Sequence, residues 1–523
     1  MTRRESAYRQ TAAPREQCAV PPEEPTGAAG EQLDHALARA LAISMVARNA
    51  GTGSVPALDD TNPVVGLMDL DLLVEQYQRL DSAFAGKHDV LHAVACKAVP
   101  LRSLLHLYAS IGAGCEVAGP GELELAVAAG FTPERIVFDS PAKTRAELRR
   151  AIELGVSMNV DNWEELARLD ELLADVGTAS ARRDTDVGTA SARRDTDAGT
   201  ASARRDADAG TASGTRASGT TSARIGLRVN PQTGSGTIAA MSTATSTSKF
   251  GIGITDSGAR EELIRAYLER PWLNQIHVHS GSQGIGLDQA AESIAEVVEL
   301  AREINARAAV RQIARIDIGG GLPVNFASED ITPTFAEYRA ALDARVPGLF
   351  DFELVTEFGR SLLAKAGTVL SRVEYTKTTG GRLIAITHAG AQVAARTAYA
   401  PEDWPLRILP FDRAGRAKSE EDPVPTDVAG PACFAGDLLA RDRMLPRLEA
   451  GDLVAVPDTG AYYFSNHYSY NLLPRIPIHG YRRLRSESST EELEFLLIRP
   501  GQTVEQVLAE AGEADLVSGS LGS

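Results

Sequence analysis

The chain has 523 residues, 43% of them hydrophobic and 24% charged, and its formal net charge is −17. That length supports more than one hydrophobic core, and the acidic balance argues against a nucleic-acid groove or an anionic membrane surface, both of which attract basic patches. Four cysteines, Cys18, Cys96, Cys115 and Cys433, are too few and scattered for a disulfide framework, and without a CxxC pair no metal is expected.

In chain order, the opening "MTRRESAYRQTAAPREQCAV" is charged and lacks the apolar stretch of a secretory signal. No apolar run reaches the roughly 18 residues of a membrane helix, so a soluble, cytoplasmic protein without membrane or nucleic-acid partners is expected. Residues 1–61 are rich in Ala, Pro and charge and weakly patterned, which predicts a flexible arm with a short helix in "LDHALARALAISMVARNA". From 62 to 366 short apolar strands alternate with amphipathic helices. "VLHAVAC", "CEVAG", "RIVFDS" and "SMNV" each precede a helical stretch, and "IGLRVN", "QIHVHS", "RIDIGGG" and "FELVTEFG" continue the series. Eight strands separated by helices predict an α/β protein built on a (β/α)8 barrel of the TIM type.

One stretch breaks the rhythm. From Asp175 the unit "DVGTASARRDT" recurs with a period of 11, restarting at Asp186, Asp197 and Asp208. The units hold almost no large apolar residue to stack, so residues 175–222 are expected to be a disordered insert rather than a solenoid. It falls between a helix and the next strand, on the barrel face opposite catalysis. Residues 367–523 change texture to Val-, Leu-, Gly- and Pro-rich strand-like segments, which predict a separate C-terminal β domain.

The chemistry sits at the strand ends. Alternation along "VLHAVACK" places Leu91, Ala93, Ala95 and Lys97 on one side, with Lys97 at the C-terminal end. A buried Lys amine readily loses its proton and forms imines, whereas a strand-end Lys reaching solvent does neither. "RIDIGGGLP" offers the backbone N–H groups of Gly319, Gly320 and Gly321 as a phosphate cradle, with a tight turn as the plainer alternative. "HVHSGSQG" turns His279 toward the barrel mouth and sets Ser282 in the loop, while His277 reads as a hydrogen-bonded core residue. "EFGR" places Glu357 and Arg360 at another strand end, where a carboxylate could keep a pyridine nitrogen protonated and an Arg could neutralise a phosphate.

The motifs "ACKA", "GAGCEVAGPGELELAVAAG", "RIGLRVNP", "SKFGIG", "HVHSGSQ", "DIGGG", "EFGR", "GPACFAGD" and "DTGAYYFS" occur in that order between about Pro63 and Pro500. In these the chain resembles the fold-type III pyridoxal-phosphate decarboxylases, the diaminopimelate, ornithine and arginine decarboxylase group related to alanine racemase, and its texture is nearest the diaminopimelate branch. The resemblance implies pyridoxal 5'-phosphate as cofactor, held by Lys97 as an internal aldimine with His279 stacked on the ring. It places Arg228 near the phenolic oxygen, Glu357 at the ring nitrogen, and Ser282, Gly319, Gly320, Gly321, Arg360 and Tyr462 at the phosphate. It also implies a head-to-tail homodimer in which Cys433 enters the neighbour's site and delivers a proton to the carbon that loses carbon dioxide, with an amino acid as small-molecule substrate.

Three departures concern the substrate's far end. Phe434 stands where this group usually carries an acidic residue that meets a distal ammonium; His388 in "ITHAG" stands where an Asp is frequent. Arg396 and Tyr399 lie near an Arg and a Tyr of the diaminopimelate branch, at altered spacing. The expected activity is therefore α-decarboxylation of an amino acid whose distal end is recognised differently. A racemase or epimerase on the same scaffold is an alternative that carbon dioxide release separates. A non-catalytic pyridoxal-phosphate carrier is another, disfavoured by the C-terminal domain with Cys433 and Tyr462.

Overall fold

Eight parallel strands close into a barrel: Val90–Ala95, Gly114–Val117, Ile136–Asp139, Ser157–Val160, Ile225–Asn230, Leu273–His277, Arg315–Asp317 and Glu353–Thr356. Each pairs with the next, and the last returns to the first through Leu354 opposite Val90. All eight fall on the strands expected from the sequence. The computed structural model describes residues 28–49, 54–86, 88, 90–175, 223–419, 421–484 and 492–512. Residues 1–27, the start of the expected arm, and 176–222, nearly all of the expected insert, lie outside the described residues.

Short strands buried on both faces form the barrel because helices cover its outside. The helices start at encoded signals. Thr144 and Thr334 each accept a hydrogen bond from the backbone N–H three residues on, of Glu147 and Glu337, whose carboxylates return the bond to the capping residue. Inside the barrel Leu91, Ala93, Val137 and Val355 make one small apolar layer. Toward the C-terminal ends the interior turns polar, with Gln275 Nε2 donating to Asn159 Oδ1 at 2.7 Å and Asn159 Nδ2 to Asp317 Oδ2 at 3.0 Å.

The second sheet corrects the expected boundaries. Strand Val64–Asp69, assigned by sequence to the barrel, lies in the other domain, antiparallel to Gly367–Thr379 and parallel to Ile478–Leu484. Gly367–Thr379 is the hub, pairing also with Arg382–Thr387 and Leu453–Pro457. In the N-terminal segment the expected helix is present, longer than expected and docked rather than part of a flexible arm. This helix, Ala28–Arg48, buries Ala42, Ile43 and Val46 against Val65, Leu67, Leu370 and Tyr481 of this sheet. His35 bonds to both Asp69 and Glu75, at 2.8 and 2.7 Å, while Arg39 pairs with Glu329. Burial of three small-to-medium apolar side chains and these ion pairs turn a weakly patterned sequence into a docked helix. Among the described residues no helix is long and apolar enough to cross a membrane.

Candidate active site

The C-terminal ends of the barrel strands surround a cavity of about 390 Å³ whose walls include Lys97, His279, Ser282, Glu357, Arg360 and Tyr462. Lys97 sits on the turn Cys96–Ala98 that follows the first strand. The second domain closes the site through Tyr462, whose N–H donates to Ala98 O at 2.9 Å with its backbone in the left-handed region, φ 66°. The loop carrying Tyr462 is thereby tied directly to the turn carrying the lysine.

Charge sets the state of each group. Lys97 Nζ donates to Glu116 Oε1 at 2.6 Å, with Glu116 fully buried on the second strand. Burial pushes the Glu116 carboxyl up to about 8, against the pull of Lys97. Burial works to lower the Lys97 pKa, but Glu116, Tyr462 and Glu357 outweigh it and hold the amine above its ordinary value. That direction runs against the proton loss expected of a buried lysine, and the Lys97 side chain is 42% exposed.

His279 behaves oppositely. Its Nδ1 accepts the Gly320 N–H at 3.1 Å, which fixes the tautomer with hydrogen on Nε2. Burial, Arg228 and Lys97 push its pKa well below the usual value, so the ring is neutral. The Gly319–Gly321 turn packs too closely for side chains. A Cβ on Gly320 would lie 2.3 Å from Glu357 O, one on Gly321 2.3 Å from Gly281 O, and Gly319 and Gly321 take φ of 66° and 106°.

Beside that turn Arg360 is 4% exposed, with its guanidinium 4.6 Å from the ring centres of both Trp404 and Tyr462. Arg396 packs on the same two rings at 5.1 and 5.0 Å. Arg360 Nε and Arg396 Nη1 are buried without a hydrogen-bond partner, and burial lowers the Arg360 pKa to about 10. Two guanidiniums facing a cavity with no ion-pair partner among the described residues suit an anion. Glu357 Oε1 is likewise buried and unbonded. An amine, an anion cradle and an unsatisfied carboxyl oxygen are the three groups that pyridoxal phosphate requires for its aldehyde, phosphate and ring nitrogen, so the residues fit it.

Lys97, His279, Ser282, Gly321, Glu357, Arg360, Arg396 and Tyr462 thus share one cavity, with Gly319 and Gly320 in the turn behind. Arg228 is adjacent, donating to Asp139 Oδ2 at 2.9 Å under the Phe250 ring at 4.3 Å. Besides Arg228, Gly319 and Gly320, four expected residues, Cys433, Phe434, Tyr399 and His388, lie outside its lining. Cys433 is exposed, its N–H held by Asn471 Oδ1 at 2.7 Å. Phe434 stacks on Tyr399 with ring centres 5.4 Å apart. His388 Nε2 meets Glu374 Oε2 at 3.0 Å rather than the cavity. Sequence reading missed Glu116, Asp139 and Phe250; the strand-end rule that found Lys97 applies equally to "CEV" and "VFD".

A closed barrel bearing a lysine after its first strand and an anion cradle between its last two defines a cofactor-dependent enzyme that handles amines. The model of the pyridoxal-dependent decarboxylase pyridoxal-binding domain matches residues 70–203 and 215–364, more than half of the chain. The diaminopimelate decarboxylase of Pseudomonas aeruginosa is 33% identical over 401 residues, spanning 76% of this chain and 82% of the relative. That of Zymomonas mobilis is 29% identical over 447 residues, 84% and 90%. The Helicobacter pylori diaminopimelate decarboxylase, solved with L-lysine, shares the fold at a TM-score of 0.67 with 24% identity, covering 86% of this chain and 97% of that one. The chain belongs to the pyridoxal-dependent decarboxylases. It is a pyridoxal-phosphate-dependent carboxy-lyase acting on an amino acid, and these relatives favour neither the racemase nor the carrier alternative.

Proposed function

We propose that this decarboxylase acts on an α-amino acid whose far end carries no ammonium group, at a site completed by a second copy of the chain. The observation that carries the reading is the surroundings of Phe434. Its ring is stacked on Tyr399, with an interplanar angle of 12°, and set edge-on to Tyr470, which stacks on Tyr468. The Tyr399 and Tyr468 hydroxyls meet at 2.9 Å. In this aromatic corner beside Cys433 the ring contacts of Phe434 are all to tyrosines among the described residues. Asp437, the nearest carboxyl in sequence, cannot substitute, because it accepts the N–H groups of Ala391 at 2.5 Å and Ala432 at 2.6 Å. Gly390 and Gly430 press on it so closely that a Cβ on either would lie 2.4 Å from its oxygens.

When bound, pyridoxal phosphate supplies an electron sink for the pair left on the α-carbon as the carboxylate departs as carbon dioxide. In this reading Lys97 bears the cofactor, Arg360, Ser282, Tyr462 and the Gly319–Gly321 turn hold its phosphate, His279 covers the ring and Glu357 faces the ring nitrogen. Glu116 keeps a proton at Lys97 Nζ for the amine exchange that admits substrate and expels product. Arg396, which packs on the same Trp404 and Tyr462 rings and lines the same cavity, serves a polar substrate end in this reading. Cys433 is exposed in one chain, which suits a thiol that works in the site of a second, head-to-tail copy.

The test is carbon dioxide release over a panel of amino acids, repeated with Phe434→Glu. Substrates with apolar, amide or carboxylate ends should lead for the unmodified enzyme. Phe434→Glu should shift preference toward diamino acids. Preference for a diamino acid in the unmodified enzyme overturns the reading.

A further inference from the structure

Beneath the cavity floor lies a second group of charges that the proposed roles do not use. His277, at the end of the sixth barrel strand, is completely buried, yet neither ring nitrogen makes a hydrogen bond. Its Nε2 lies 3.5 Å from Glu357 Oε2 and its Nδ1 3.8 Å from Asp139 Oδ1. The ligand-type atoms of Asp139, His277 and Glu357 all lie within 4.8 Å of one another. Asp139 Oδ1 is buried without a bond as well, while Glu357 Oε1, the oxygen not turned to His277, is the one left for the cavity. Three polar atoms left unsatisfied at one spot cost free energy unless they bind as charges. Asp139 is itself anchored from its other oxygen by Arg228.

We propose that His277 is a positioning residue for the cofactor: its imidazolium bridges Asp139 and Glu357 and holds the Glu357 carboxyl against the ring nitrogen. The inference rests on the reading above that Glu357 faces that nitrogen. The groups around the ring favour the charged form. Asp139, Asp317 and Glu357 face it from the third, seventh and eighth strands, and His279 and Arg228 are the cationic or neutral neighbours on the sixth and fifth. Burial lowers the His277 pKa, but those three carboxyls raise it to about 9. Arg228 and His277 hold Asp139 well below the carboxylate range despite its burial, while burial and Glu357 keep Asp317 well above it. Fixed from below by Asp139 and Arg228, the bridge leaves Glu357 only the cavity side to address.

The proton at the ring nitrogen can be read directly by ¹⁵N NMR of enzyme loaded with pyridine-¹⁵N pyridoxal phosphate. The unmodified enzyme should give the protonated-nitrogen signal. His277→Gln should lose that signal and lower kcat about tenfold, the size of one pKa unit, with KM unchanged. A folded His277→Gln enzyme with the protonated signal and kcat intact overturns the proposal. Glu357→Gln separates it from the underlying reading: if that variant also keeps the signal, Glu357 does not face the ring nitrogen and the reading itself fails. Should His277→Gln not fold, ¹⁵N-histidine spectra of the unmodified holoenzyme decide. They should show an imidazolium protonated on both nitrogens at pH 8 that persists in His35→Gln, which removes the other carboxylate-bridged histidine; its absence refutes the bridge.

Discussion

Lys97 owes its state to its neighbours more than to burial. Strand parity pointed to it, and the structure sets it in the cavity wall on the turn Cys96–Ala98 that follows the strand. Parity could not supply the charge balance, since Glu116 comes from the adjacent strand and is brought to 2.6 Å only by the pairing of Ala95 with Glu116. Borohydride reduction of the holoenzyme should fix the cofactor to the peptide that contains Lys97, detectable by mass. Lys97→Ala should abolish that adduct and lower turnover by roughly a hundredfold or more, the scale of a lost proton-transfer group, while Arg360 and the glycine turn retain noncovalent cofactor. An adduct on another lysine contradicts the assignment. Glu116 and Asp139 were legible by the rule that exposed Lys97; the orphaned nitrogens of Arg360 and His277 were not, because only packing shows which polar atoms lack partners.

The barrel strands were readable one by one, since each is a short apolar run bounded by helix signals and pairs with its neighbour in sequence. Strand Val64–Asp69 was not, because its partners lie far away, Val64 opposite Ser371 and Gly66 opposite Ile478. The helix Ala28–Arg48 was legible as a short helix, but its docking was not, for a related reason. Its buried face mixes Ala38 and Ala42 with Ile43, Val46 and the charged His35 and Arg39, a weak periodic signal, and the sheet that covers it is assembled from both ends of the chain. Ile43 is that face's largest fully buried side chain. Ile43→Ala should cost about 2–4 kcal/mol in denaturant unfolding, the range for emptying a buried aliphatic site. A change below about 0.5 kcal/mol, typical of surface substitutions, would show that the helix does not dock in solution.

At the scale of the whole molecule, one chain supplies the cofactor cavity and displays Cys433 and Phe434 outside its lining. If the thiol serves a second copy, inactive Lys97→Ala and inactive Cys433→Ala chains should regain activity on mixing, because a mixed dimer holds one site with both residues intact; no recovery despite demonstrated subunit exchange would place the complete site within one chain. The larger claim is that a conserved-looking cofactor apparatus serves a rebuilt substrate end. In the proposed dimer, where a second copy covers Phe434, an ammonium brought there would be buried without a partner, at a cost of about 3–5 kcal/mol, or roughly a hundredfold or more in rate or affinity. The measurement that tests this most directly is kcat/KM for meso-diaminopimelate, followed by carbon dioxide release from the unmodified enzyme. The account predicts a value at least about a hundredfold below that for the best substrate with an apolar, amide or carboxylate end; a value for meso-diaminopimelate equal to or above that substrate's would contradict it.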